Sequence, residues 1–167
     1  VNDVLNGGDG IDTLAFTGAA DLDTTDFSTA AVAAISNFEI VEFEGAQDLT
    51  TASGDSSTVD LTKIAGVNTL KITGALTTDA NDLLIIKADS GAKVVFGGAV
   101  SMTTTLADIQ ITNAANAGTV DDVTVAIEKE SAGASLAIAG FGIDNVETVN
   151  LEGKGVQASS DIITLGD

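Results

Sequence analysis

The sequence contains no cysteine, histidine, arginine, tryptophan, tyrosine or proline among its 167 residues. Without cysteine, the chain has neither disulfide bonds nor thiolate metal ligands. Without histidine or cysteine, the serine–histidine and cysteine–histidine nucleophile systems are excluded within one chain. These absences remove most catalytic machinery, so the sequence predicts that the protein is not an enzyme.

Positive charge is also scarce, because six lysines face 25 acidic residues and the net charge is −19. Such a surface repels nucleic acid, anionic membranes and other parts of itself, so held cations would favour the compact state. No apolar run approaches the ~20 residues of a membrane span. We therefore expect no nucleic-acid partner and no membrane insertion. The low basic content, the excess of aspartate and the lack of cysteine favour an extracellular, calcium-rich setting.

An apolar content of 44% with 18 glycines indicates a folded protein rather than a disordered acidic tail. The length predicts a single β-rich domain over residues 1–167. No signal peptide is visible. A half-repeat opens the chain at residues 2–6, and residues 159–167 resemble the start of a further repeat. The sequence is therefore interpreted as a fragment of a longer repetitive chain.

Residues 7–15 form a glycine-rich turn with glycines at its first, second and fourth places, aspartate at the sixth and leucine at the eighth. Glycine accepts positive φ, so such a turn can bring several carbonyl oxygens together. Carbonyl and carboxylate oxygens in a flexible loop suit Ca²⁺. A plain β-turn between two strands is the alternative. Within a calcium turn spanning residues 1–18, the predicted metal ligands are Asp3, Gly7, Gly8, Asp9, Gly10 and Asp12.

An internal repeat recurs without gaps at residues 35–45, 64–74 and 143–153. Each copy has an apolar anchor, a short turn, a strand with alternating apolar residues and a closing glycine. A shorter pattern, an aspartate opening an apolar strand, recurs at positions 12, 60, 82, 122 and 161. Repeated units that bury an apolar face only by stacking predict a parallel β-solenoid, resembling a β-roll, with irregular loops. Because the copies are spaced irregularly, an antiparallel β-sandwich is the alternative.

Other segments predict structure rather than chemistry. Apolar residues at helical spacing indicate one short helix at residues 28–35. Three aspartates at positions 21, 23 and 26 lack the glycine and glutamate of an EF-hand, which favours a solvated loop. Glu39, Glu42 and Glu44 lie in one predicted strand. Glycoside hydrolysis would require two of these carboxylates to act as a catalytic pair. A strand edge that faces solvent explains the three glutamates more simply.

With these residues in view, the chain resembles bacterial surface-layer proteins that contain RTX repeats. The resemblance depends on residues 7–15, whose pattern is the nine-residue RTX signature, on strand units such as 143–153, and on the bias toward Thr, Ala, Gly and Asp. Because the chain has only one full motif, a calcium ion at every turn is not expected across residues 16–160. The resemblance implies a secreted cell-surface protein that assembles with Ca²⁺ into a lattice.

Two functions follow as expectations. The first is a structural component of a calcium-dependent extracellular surface layer, whose partners are neighbouring copies of the same protein. The second is an RTX-type adhesin module that binds a cell-surface polysaccharide. The second is weaker because sugar sites usually expose aromatic rings, and the six aromatic residues here are all phenylalanine in strand-like contexts.

Overall fold

The computed structural model describes residues 4–18, 20–21, 32–48, 56–77, 83–97, 101–112, 120–128 and 137–155. Short strands dominate these residues, and every strand pair is parallel. The strands are β1 (Leu5–Asn6), β2 (Thr13–Phe16), β3 (Ala20–Asp21), β4 (Ile35–Ser36), β5 (Ile40–Phe43), β6 (Gln47–Asp48), β7 (Ser56–Asp60), β8 (Thr69–Ile72), β9 (Leu76–Thr77), β10 (Leu83–Ala88), β11 (Ala92–Phe96), β12 (Ser101–Ile111), β13 (Asp122–Glu128), β14 (Ala137–Ile143) and β15 (Thr148–Lys154).

The strands stack in chain order, which makes the protein a parallel β-solenoid. The largest sheet has the order β2-β5-β8-β11-β13-β15, and a second sheet stacks β7-β10-β12-β14. The short strands form a three-stranded sheet, β3-β6-β9, and a β1-β4 pair. We call each strand of the largest sheet, with the corner before it, a layer. The predicted solenoid is confirmed, and the antiparallel sandwich is wrong for the described residues.

The core lies between the sheets and is built from columns of stacked side chains. The first core column runs through the six layers as Leu14, Val41, Leu70, Val94, Val125 and Leu151. The second core column runs as Phe16, Phe43, Ile72, Phe96, Ile127 and Gly153. Alternation puts these residues on one face of each strand, and in the interior layers most of them are buried. Opposite them pack Leu84, Ile86 and Ile109 of the second sheet.

The internal repeat marks one corner of the solenoid. Its third position is Asn37, Gly66 or Asn145, and all three have positive φ, at 57°, 96° and 60°. Only glycine enters this left-handed region without strain, and asparagine enters it more readily than other residues. The strand predicted after the corner is present in each copy of the repeat, as β5, β8 and β15.

The third copy of the repeat is displaced by two residues in the ladder. Thr69 stacks through Lys93 and Thr124 onto Asn150, whereas the sequence alignment places Thr148 there. A two-residue displacement keeps every side chain on its own face of the sheet. Val149 and Leu151 therefore continue the inward side of β15.

The glycine that closes the repeat is required by stacking. A Cβ on Gly74 would lie 2.0 Å from the carbonyl oxygen of Gly45, and one on Gly45 would lie 2.1 Å from that of Gly18. These three glycines occupy equivalent places ahead of the paired strands β3, β6 and β9. We call them the glycine ladder; it lets the backbones of adjacent layers approach closely.

One local prediction is wrong, and another is wrong at its C-terminal end. Asp60 ends β7 and does not open a strand, because its carboxylate accepts the Thr62 N–H at 3.2 Å and caps a 3₁₀ turn at Leu61–Lys63. The helix predicted at residues 28–35 does not extend to residue 35, because Ile35 belongs to β4. Asp21, the first residue of the predicted acidic loop, lies in β3. The rest of that loop, residues 28–31 and the repeat predicted at 159–167 lie outside the described residues. Within the described part, no helix is long and apolar enough to cross a membrane.

Candidate functional site at the layer corners and the open ends

The glycine-rich turn folds against the next layer. Gly8 and Gly10 have φ of 98° and 125°, so both need the freedom that glycine gives. The Asn6 carboxamide oxygen accepts hydrogen bonds from the Gly8 N–H at 3.0 Å and from Asn37 Nδ2 at 2.9 Å. A Cβ on Gly7 would lie 2.0 Å from the Asn37 carbonyl oxygen. The turn is therefore anchored at the first corner of the solenoid.

The predicted calcium ligands are distributed unevenly along this turn. Gly8, Asp9 and Gly10 are exposed, whereas Gly7 and Asp12 are half-buried. Asp3 lies outside the described residues. Within the described part of the chain, no three acidic side chains converge into a ready-made metal cluster. The calcium assignment of these six residues stays a prediction.

Asp12 is held by an acidic residue of the next layer. The Glu39 carboxylate accepts the Asp12 backbone N–H at 2.8 Å. In return, the Asp12 carbonyl accepts the N–H groups of Glu39 and Ile40, both at 3.2 Å. The Asp12 Oδ2 atom is buried without a hydrogen-bond partner. An unpartnered buried carboxylate oxygen is costly, so this corner suits a cation that supplies the missing partner.

The same arrangement recurs at the opposite end of the solenoid. The Glu147 carboxylate accepts the Asp121 backbone N–H at 2.8 Å. The Asp121 carbonyl accepts the N–H groups of Glu147 and Thr148, both at 3.1 Å. Asp121 Oδ2 is again buried and unpartnered. We call these two arrangements the Asp–Glu corners.

The glutamates of these corners were not predicted as functional residues. Glu39 was interpreted as part of a solvent-facing rim, and that is wrong, because it binds the Asp12 backbone. Glu42 is not a free rim residue either, since it pairs with Lys71 at 3.0 Å; Glu44 is exposed, as expected. A signal was present: the first and third repeat copies share an Asn-x-Glu sequence at residues 37–39 and 145–147.

Several lysines neutralise part of the charge between layers. Lys71 joins β8 to Glu42 on β5, and Lys154 lies 3.7 Å from Glu128 on the neighbouring strand. Lys93 pairs with Glu152 of the last layer. None of the ion pairs among the described residues involves an Asp–Glu corner. Because six lysines face 25 acidic residues, most of the acidic charge remains uncompensated.

The two outer strands of the largest sheet, as described, are β2 and β15. Among the described strands, none pairs with the outer edge of β2 or of β15. Phe16 of β2 is 36% exposed, while Val149 and Leu151 of β15 are 43% and 51% exposed, although their column neighbours in the interior layers are buried. Open strand edges with exposed core residues favour the addition of another strand.

No protein-family model, curated protein or solved structure matches this chain. The β-solenoid is established here by the strand pairing itself. The Asp–Glu corners, the acidic charge and the exposed core residues of β2 and β15 are the features that bear on function.

Proposed function

We propose that this protein is a structural component of a calcium-dependent extracellular surface layer, in which copies of the chain join end to end. The exposed core residues of β2 and β15, the outer strands of the described sheet, carry this proposal. Leu151 at one end and Phe16 at the other belong to columns that are buried in the interior layers. Burying one such side chain contributes about 1.5–3 kcal/mol.

The two ends are complementary rather than identical. Every strand of the largest sheet runs in the same direction, so β15 of one copy can continue the sheet at β2 of the next copy. In register, Leu151 would stack on Leu14 and extend the first core column. A head-to-tail contact that does not close into a ring generates an open filament, which is a suitable element for a layer.

The acidic surface supports the proposed dependence on calcium. Each copy carries a net charge of −19, so two copies repel each other when their ends approach. Asp12 directly precedes β2, and its corner therefore lies at the end where the next copy would stack. Calcium held there by the predicted ligands Asp3, Gly7, Gly8, Asp9, Gly10 and Asp12 would lower this repulsion. The same chemistry supports the RTX-like, secreted and cell-surface assignment.

Glycan binding, as in an adhesin, gains no support from the described aromatic residues. Phe43 and Phe96 are buried in the core, and Phe38 and Phe141 are half-buried. Phe16, the most exposed of the described phenylalanines, belongs to the second core column. We therefore propose self-assembly and not catalysis or sugar recognition.

The test is the oligomeric state measured by sedimentation velocity over a concentration series, in calcium and in EGTA, with magnesium at equal ionic strength as the ion control. We expect concentration-dependent oligomers in calcium and monomers in EGTA. Circular dichroism verifies the fold, because the chain has no tryptophan or tyrosine to report it by fluorescence.

A matched pair of variants locates the interface. Leu151→Asp puts a charge on the first core column at the outer strand β15. We expect association to weaken at least about tenfold, because losing the burial of one apolar side chain costs about 1.4 kcal/mol or more. Ala75→Asp adds the same charge at an exposed site after β8 of an interior layer, and should assemble as the wild type does. A folded wild-type chain that stays monomeric at every concentration in calcium overturns the proposal.

A further inference from the structure

Asp121 is buried beyond what an unpaired acid normally tolerates. It is 6% exposed, and with Ser57 it makes up the buried polar residues of the described chain. Its Oδ2 atom has no hydrogen-bond partner. Leaving a buried acceptor unsatisfied costs about 1–3 kcal/mol, and more for a charged group. A donor or a cation at this atom would remove that cost.

The surroundings of Asp121 add negative charge. The Glu147 carboxylate is fixed at the Asp121 backbone N–H, and the next residue, Asp122, bonds through its own N–H to Ser90 Oγ at 3.1 Å. None of the ion pairs formed by the described lysines reaches this corner.

We propose that the Asp121–Glu147 corner binds a divalent cation, with Ca²⁺ the best fit. The available donors are carboxylate oxygens, which suit Ca²⁺ and Mg²⁺ rather than softer metals. Ca²⁺ accepts irregular coordination and completes it with water, whereas Mg²⁺ demands near-ideal octahedral geometry. Glu147 is exposed, so water reaches the site. Two protein carboxylates predict a weak site, with a Kd of about 10⁻⁴–10⁻³ M.

This site lies outside the glycine-rich turn and has a separate consequence. Asp121 precedes β13 and Glu147 precedes β15, so the ion would fasten the last layer to the one before it. The same geometry at Asp12–Glu39 fastens the first two layers. The inference does not depend on assembly, because a monomer would bind the ion equally well.

Isothermal titration calorimetry of the full chain with CaCl₂ tests the site. We expect Asp121→Asn, which keeps the shape and removes the charge, to lose one equivalent of calcium or to bind it at least tenfold more weakly. Glu147→Gln should weaken the same equivalent without altering the core. Asp89→Asn removes the same charge from an exposed turn and should bind as the wild type does. Asp12→Asn should leave this equivalent intact.

Circular dichroism in EGTA verifies that each variant is folded before titration. Identical calcium stoichiometry and affinity in the wild type, Asp121→Asn and Glu147→Gln would overturn the inference, whatever the oligomeric state. Loss of assembly with the calcium equivalent retained would count against the proposed function and not against this site.

Discussion

Gly74→Ala is expected to destabilise the solenoid by about 3 kcal/mol or more. The added Cβ would lie 2.0 Å from the Gly45 carbonyl oxygen, 2.6 Å from its carbon and 2.7 Å from the Glu44 carbonyl oxygen. Overpacking costs typically 1–3 kcal/mol when side chains can move aside. Here the neighbours are backbone atoms of the layer below, so the layers themselves must separate. Urea unfolding followed by circular dichroism measures the change.

Gly18→Ala is the matched control for this prediction. Gly18 is the first member of the glycine ladder, and a Cβ on it would meet no heavy atom within 4 Å. Its unfolding free energy should stay within roughly 0.5 kcal/mol of the wild type, as for surface substitutions in general. Equal stability losses for Gly18→Ala and Gly74→Ala would contradict the close approach of adjacent layers.

Phe96→Ala is expected to lower the unfolding free energy by about 3–5 kcal/mol, as for other buried phenylalanines. Phe96 is fully buried in the second core column, and its ring centroid lies 5.6 Å from that of Phe141 on the opposite sheet. Removing the ring leaves a cavity that the strands cannot close, because backbone hydrogen bonds to its neighbours hold each strand in place. Thermal and urea unfolding in EGTA, at concentrations where the chain is monomeric, measure the loss.

Phe16→Ala is the control for this second prediction, since it removes the same ring from the same column at the open end. Phe16 is 36% exposed and contacts Phe43 with a centroid distance of 5.3 Å. Its loss should cost roughly 1 kcal/mol, the typical value for a single substitution. If Phe16→Ala proved as damaging as Phe96→Ala, the description of β2 as an open edge would be wrong.

The sequence predicts the solenoid because the pattern within each repeat is the one that the stacking of repeats requires. The repeat at 35–45, 64–74 and 143–153 contains the left-handed corner, the alternating strand and, in its first two copies, the closing glycine of the ladder. Each of these features has a cause within a few residues of the chain. The positive φ of Asn37 and Asn145 is the reason the repeat carries asparagine where another copy has glycine.

Features set by stacking were harder to predict. Glu39 looks like a rim residue in its own strand, and only the pairing of β2 with β5 brings it to the Asp12 N–H. The two-residue displacement of the third copy depends on the strands between, which the local pattern does not reveal. Asp60 was misread because an aspartate before an apolar residue caps a 3₁₀ turn as readily as it opens a strand.

Directional cross-linking tests the central claim, that copies join head to tail through β15 and β2. Glu152 and Ala15 occupy the same column of the ladder, on the face of the sheet opposite the two core columns, so an in-register junction would place them on neighbouring strands. Neighbouring strands lie about 4.8 Å apart, within the Cα–Cα range of a disulfide, about 4.4–6.8 Å. The natural chain has no cysteine to interfere.

The measurement is non-reducing electrophoresis of the Ala15→Cys, Glu152→Cys double variant after mild oxidation in calcium. A head-to-tail junction predicts a ladder of trimers and longer species that disappears in EGTA, while either single variant stops at dimers. A double variant that yields only monomers and dimers in calcium would contradict the account.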